Sequence, residues 1–229
     1  GRSGSRGIVT YAPARRAEGS WADATMTRAV CDRPGPSAAP VGQHPSGGIF
    51  GTMTKTSVTV FGSSKAARDS PHHRLARELG AALARRGAVV RCGGYGGVME
   101  AVTEGATSAG GKVVGCTLAW YKETRVPSSE LSEVVEAADL YERIRNLLAG
   151  ARAAVVLPGG VGTLNELFWV WTLLTHDRDE DPDALVLLGE GWDELLDFLD
   201  RRFEFGPDLR GLLRVAHDAE EAARIAWGD

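Results

Sequence analysis

From Ser57 onward the apolar residues follow two alternating rhythms: short unbroken runs, and longer stretches in which they recur every three or four positions. The run SVTVF at 57–61 predicts a strand and Gly62-Ser63-Ser64 a turn. Ser70-Pro71 then opens a helix that puts Leu75, Leu79 and Leu83 on one face and closes at Gly87. Further strands are predicted at 88–91, 112–116, 153–157 and 184–188, with a short apolar pair at 134–135. Helical periodicity covers 98–109, 140–149, 164–174, 192–202 and 218–227, and residues 120–132 read as loop. Strands that alternate with helices in this way imply a doubly wound, mostly parallel sheet with helices on both faces, an α/β fold of Rossmann-like type. Ligands of such sheets bind beyond the carboxyl ends of the strands, where the strand order reverses. Three glycine-bearing turns fall at such ends, at 62–64, 93–97 and 159–163, and they are expected to line one crevice.

Residues 1–54 break the pattern. They are rich in Gly, Pro, Ser, Ala and Arg, and their hydrophobes, such as Trp21 and Ile49, are scattered without period. They read as a disordered leader, either added or translated ahead of a start at Met53, and residues 55–229 read as one nucleotide-binding domain. No apolar core of a signal peptide is present, and Glu18, Asp23 and Asp32 fit poorly in a transit peptide.

Charge then narrows the partners. Residues 55–229 carry 20 basic and 27 acidic side chains, a net charge of −7, which argues against nucleic acid held on a basic surface. Cys31, Cys92 and Cys116 have neither the number nor the spacing of a disulfide framework or a zinc site, and a reducing cytoplasmic setting fits them. No run approaches the length of a membrane span. The five histidines show no metal-binding spacing, so neither a metal nor another cofactor is expected.

The chemistry concentrates between Leu157 and Glu166, in LPGGVGTLNE. Gly159, Gly160 and Gly162 let the backbone approach a ligand, and the N–H groups at the following helix start suit a phosphate. No lysine lies in the segment, which excludes a Walker A loop, and Asn165 stands where a dinucleotide fingerprint needs its third glycine. Glu166 has two readings. Thr163 and Glu166 have capping-box spacing, yet a carboxylate one turn from a bound phosphate would be repelled unless it serves another part of the ligand.

With the turns set side by side, residues 57–200 resemble the Lonely Guy family of cytokinin-activating phosphoribohydrolases, Rossmann-like proteins that often carry a lysine decarboxylase label. The family motif P-G-G-x-G-T-x-x-E is matched by Pro158, Gly159, Gly160, Gly162, Thr163 and Glu166. Phe61-Gly62-Ser63-Ser64 is similar to the family's first turn, and Gly93-Gly94 with Gly97-Val98-Met99 to its G-G-x-x-G-L-M. The preceding helix carries Met-x-x-Arg-Lys in the family and Leu140-Tyr141-Glu142-Arg143-Ile144 here.

The resemblance implies that Arg143 and Glu166 are catalytic, and that the substrate is an AMP-like nucleoside 5′-monophosphate cleaved to free base and ribose 5-phosphate. It implies that Gly62, Ser63, Gly93, Gly94, Gly97, Gly159, Gly160, Gly162 and Thr163 hold the nucleotide, and that the chain forms a homodimer through helices near the site. Glu100 is a further candidate for the ribose. Arg143 has a plainer reading as a surface arginine paired with Asp139. Ile144 in place of lysine removes a cation from beside the expected ligand, which leaves room for a carrier of nucleotide or molybdenum cofactor. A decarboxylase would need a Schiff-base lysine, and none lies near the motif in sequence.

Overall fold

The computed structural model describes residues 55–176 and 181–229, so the expected leader lies outside the described residues. Seven strands of the described residues form one sheet in which every pairing is parallel, β1 (Ser57–Phe61), β2 (Val89–Cys92), β3 (Val113–Leu118), β4 (Glu133–Ala137), β5 (Ala151–Val156), β6 (Ala184–Leu188) and β7 (Leu213–Ala216). The order across the sheet is β4-β3-β2-β1-β5-β6-β7. The chain therefore winds outward one way from β1 and the other way from β5, and the reversal falls between those two central strands.

Among the described residues seven α-helices cover the sheet: α1 (Pro71–Arg85), α2 (Val98–Ser108), α3 (Leu140–Leu148), α4 (Val161–Leu174), α5 (Trp192–Arg202), α6 (Pro207–Gly211) and α7 (Ala219–Trp227). Strand residues alternate between two apolar layers. Val58, Val60, Val90, Ala153 and Val155 pack under α1, α2 and α7, whereas Phe61, Val114, Ala154 and Val156 pack against α3, α4 and α5. A central strand buried on both faces needs an unbroken apolar run, and ALVLL in β6 is such a run.

Strands β1 and β6 and helix α5 have the bounds predicted from the pattern. α6 and β7 were not predicted: α6 has five residues and β7 four, with Arg214 of β7 exposed, too little to display a period. α4 starts at Val161, two residues before Thr163.

Helices α1 and α2 meet through glycines. A Cβ on Gly80 would strike the Val102 carbonyl oxygen, and one on Gly105 would strike that of Arg77. Backbone cannot swing aside as a side-chain tip can, so Gly105→Ala must push the helices apart. We expect a loss of about 1–3 kcal/mol, read as a lower urea midpoint at unchanged slope. An unchanged midpoint would mean that the helices are not in this close contact.

Candidate active site

The reversal point brings two turns into direct contact. Leu157 N donates to Phe61 O at 2.9 Å and Ser63 N donates to Pro158 O at 3.3 Å, so the turn after β1 is hydrogen-bonded to the turn after β5. The turn after β2 joins them through Val98 N, which donates to Ser63 O at 2.9 Å. Gly97 permits that approach: its φ is +71°, and a Cβ there would collide with the Ser63 carbonyl oxygen. Gly159 is similarly confined, because a Cβ would run into the Thr163 side chain and lie 2.9 Å from Ser63 N.

A cavity of about 450 Å³ opens above these turns. Of the residues expected to hold a ligand, Gly62, Ser63, Gly93, Gly160, Gly162 and Thr163 line it, together with Arg143 and Glu166. Gly94, Gly97 and Gly159 are not on its surface. Gly94 and Gly97 are buried behind the wall and Gly159 is exposed outside it; Gly97 and Gly159 let the turns pack, and Gly94, at φ +76°, would place a Cβ 3.2 Å from the Gly115 Cα.

Gly160 is the N-cap of α4 and no side chain caps that end. The N–H groups of the first turn are thus left for a ligand. Thr163 stands inside the helix, and its spacing to Glu166 does not form a capping box. Glu166, one turn further on, is half-buried at the cavity wall. Desolvation pushes its carboxyl up from 4.5 to about 7, and the Arg143 charge opposes that rise.

Arg143 does not pair with Asp139, which caps α3 by accepting from Glu142 N at 2.8 Å. Instead Arg143 Nε donates to Cys116 O at 2.8 Å, and Nη2 donates to Gly93 O at 3.4 Å. The guanidinium therefore ties α3 to the end of β3 and the turn after β2, and its charge faces the cavity. Gly93 makes this possible, since a Cβ there would occupy the place of Arg143 Nη2.

Ile144 corrects an expectation. Its side chain is 6% exposed and sits in the layer with Phe61, Leu147 and Trp171, not on the cavity. An i+1 neighbour on a helix points about 100° away, so the residue after the cavity-facing Arg143 faces the core. Glu100 also stands off the cavity lining and lies 3.8 Å from Arg68. Among the described residues no group of His, Cys, Asp and Glu is arranged to hold a metal ion.

The cavity also takes residues that pattern reading passed over: Lys65, Tyr95, Tyr121 and Arg125. The last two belong to the segment read simply as loop. The signal available was topological, since that segment follows the end of β3 just as the glycine turns follow β1, β2 and β5. Lys65 also removes one earlier ground against a decarboxylase, because a lysine remote from the motif in sequence is beside it in the fold.

A doubly wound sheet with an uncapped helix start, a carboxylate and an arginine around a cavity at its reversal point defines an α/β protein of Rossmann-like type with a candidate site where such folds bind their ligands. The family model described as "Possible lysine decarboxylase" matches residues 99–225, more than half of the chain. The cytokinin riboside 5′-monophosphate phosphoribohydrolase of Mycobacterium tuberculosis is 38% identical over 117 residues, 48% of this chain and 63% of that protein. The probable cytokinin riboside 5′-monophosphate phosphoribohydrolase LOGL9 of Oryza sativa subsp. japonica is 32% identical over 178 residues, 76% of this chain and 78% of that protein. The chain belongs to this family, the Lonely Guy phosphoribohydrolases.

Among solved structures, the molybdenum cofactor binding protein of Rippkaea orientalis superposes with a TM-score of 0.58 at 20% identity, covering 73% of this chain and 93% of that one. The molybdenum cofactor carrier protein of Chlamydomonas reinhardtii gives 0.56 at 24% identity, over 73% and 93%. At such identities the likeness concerns the fold alone.

Proposed function

We propose that the chain hydrolyses the N-glycosidic bond of purine nucleoside 5′-monophosphates, N6-substituted adenosine monophosphates included, to free base and ribose 5-phosphate. The observation that carries this reading is Glu166, a carboxyl held near 7 one turn from an uncapped helix start and opposed by the Arg143 charge. The 5′-phosphate takes the free N–H groups of α4, which sets the ribose over Glu166. Water attacks C1′, the C1′–N9 bond breaks, and its electron pair leaves on the base. The carboxylate stabilises the positive charge that develops on the sugar and accepts the proton of the attacking water; the departing base is protonated in turn. Arg143 keeps the carboxyl ionisable near neutrality. The family likeness supports this reading over a lysine decarboxylase. Ile144, on which the carrier alternative turned, is buried in the core.

The test is incubation with a panel of nucleoside 5′-monophosphates, N6-isopentenyl-AMP included, and chromatography of the released base. No base from any of them would overturn the reading.

We further propose a homodimer working in the reducing cytoplasm, where Cys92 and Cys116 stay free and buried. Leu140 and Tyr141 of α3 and Val161 and Trp169 of α4 are exposed beside the site, with the Tyr141 and Trp169 rings 6.3 Å apart. Apolar side chains so placed suit a partner copy. Sedimentation at micromolar concentration should give twice the chain mass, and Trp169→Glu should shift it to the monomer; a monomeric parent protein would refute the dimer.

A further inference from the structure

At the end of β3 the cavity is bounded by three side chains that the phosphate and ribose chemistry leaves unused, Tyr95, Tyr121 and Arg125. The two rings meet edge to face with centroids 5.9 Å apart. The Tyr95 hydroxyl is occupied by backbone, accepting from Leu118 N at 3.0 Å and donating to Leu118 O at 3.5 Å, so its ring is fixed in place. The Arg125 guanidinium lies over both, 4.4 Å from the Tyr121 centroid and 5.6 Å from that of Tyr95. Arg125 forms no salt bridge among the described residues. Its charge is stacked on aromatic faces at the cavity.

The position matches the far end of a nucleotide. From β5, whose end carries the phosphate-binding turn, to β3 there are three strand spacings in the order β5-β1-β2-β3. At about 4.8 Å each these span roughly 14 Å, the reach of an extended nucleoside monophosphate from its phosphate to the outer edge of its base. A guanidinium plane whose one face rests on tyrosine offers its other face for stacking and its edge N–H groups for acceptors.

We propose that Arg125, backed by Tyr121 and Tyr95, is the base-reading wall of this site and selects purines over pyrimidines. A purine lays two fused rings on the platform where a pyrimidine lays one. It also presents N7, an acceptor that a pyrimidine lacks, to a group that can only donate. The inference rests on the nucleotide reading above and assigns its specificity to a residue outside the motif. Arg125 is a specificity-determining residue and takes no part in breaking the bond.

The test is calorimetric titration of the full chain carrying Glu166→Gln, with AMP, UMP and ribose 5-phosphate as ligands, alone and combined with Arg125→Ala or Arg125→Lys. Arg125 is exposed, so neither change threatens folding. Arg125→Ala is expected to weaken AMP about tenfold or more, to weaken UMP less, and to leave ribose 5-phosphate within about twofold, since that ligand has no base to stack. Arg125→Lys, which keeps the charge and loses the plane, should behave like the alanine variant. Equal weakening of AMP and ribose 5-phosphate would make Arg125 a phosphate-binding cation and overturn the proposal. Unchanged AMP binding, or full rescue by lysine, would overturn it as well. If the parent binds ribose 5-phosphate but gains nothing from a base, the wall fails while the phosphate site stands; if it binds none of the three, the nucleotide reading falls and the wall with it.

Discussion

Glu166→Gln should stop base release and at the same time stabilise the protein above neutral pH. Glutamine keeps the shape of the side chain but cannot carry the negative charge that stabilises the oxocarbenium-like state, nor take a proton from water. A loss in kcat of about a thousandfold is expected from such a position. The stability gain follows from the same burial. The folded carboxyl titrates at about 7 and the unfolded one near 4.5. Between those values the folded chain holds a proton that the unfolded chain has released, so stability falls as pH rises through that window. Above about 7 the folded state bears the full cost of a desolvated carboxylate, of order 2 kcal/mol for a half-buried group. Glutamine never ionises and never incurs it. Thermal unfolding of both proteins from pH 4 to 9 should give curves that coincide at the acid end and separate upward, with the variant the more stable. Curves that stay parallel would show that Glu166 is not held near 7. The wild-type rate should rise with pH along a limb centred near 7, because only the ionised form acts as base. A flat profile from pH 5 to 9 would remove Glu166 from the base role.

Much of this site could be read from the residues because strand ends and glycine turns are local signals. The β1 turn, the glycines around Gly93 and the Pro158–Glu166 motif all lie where a run of apolar residues stops, and parallel topology gathers such stops at one edge of the sheet. What stayed hidden depended on side-chain direction or on contacts distant in sequence. Thr163 and Glu166 have capping spacing, but whether the helix is capped at residue 160 or at 163 depends on the backbone conformation of the glycines, which Gly residues leave open. Ile144 is next to Arg143 in sequence and on another face of α3, which spacing alone reveals only once the helix has been phased against the sheet. Lys65 and Arg125 sit on irregular segments and Tyr121 ends a single 3-10 turn, Ala119–Tyr121; none of these is long enough to show a period, so they enter the site only through the rule that every loop following a strand opens onto the same edge. β7 and α6 escaped because four or five residues cannot show a repeat.

Arg143→Ala should lower kcat about a hundredfold or more and should also move the acid limb of the pH profile to higher pH. The direction follows from the two influences on Glu166. Burial raises its pKa and the Arg143 charge lowers it, so removing the arginine leaves burial unopposed. A purely structural loss would depress the rate without displacing the limb, and so the limb is the diagnostic readout. Arg143 also donates to Cys116 O and Gly93 O, and alanine leaves both carbonyls without that partner. Some loss of stability, of order 1–2 kcal/mol, therefore accompanies the change. Arg143→Lys separates the two contributions. Lysine restores a charge near Glu166 but cannot span both carbonyls with a planar fork. The limb should return toward its wild-type position while part of the rate loss remains. If alanine and lysine variants share one pH profile with the parent and differ only in stability, Arg143 is a structural tie between α3 and the strand ends, and the electrostatic control of Glu166 lies elsewhere.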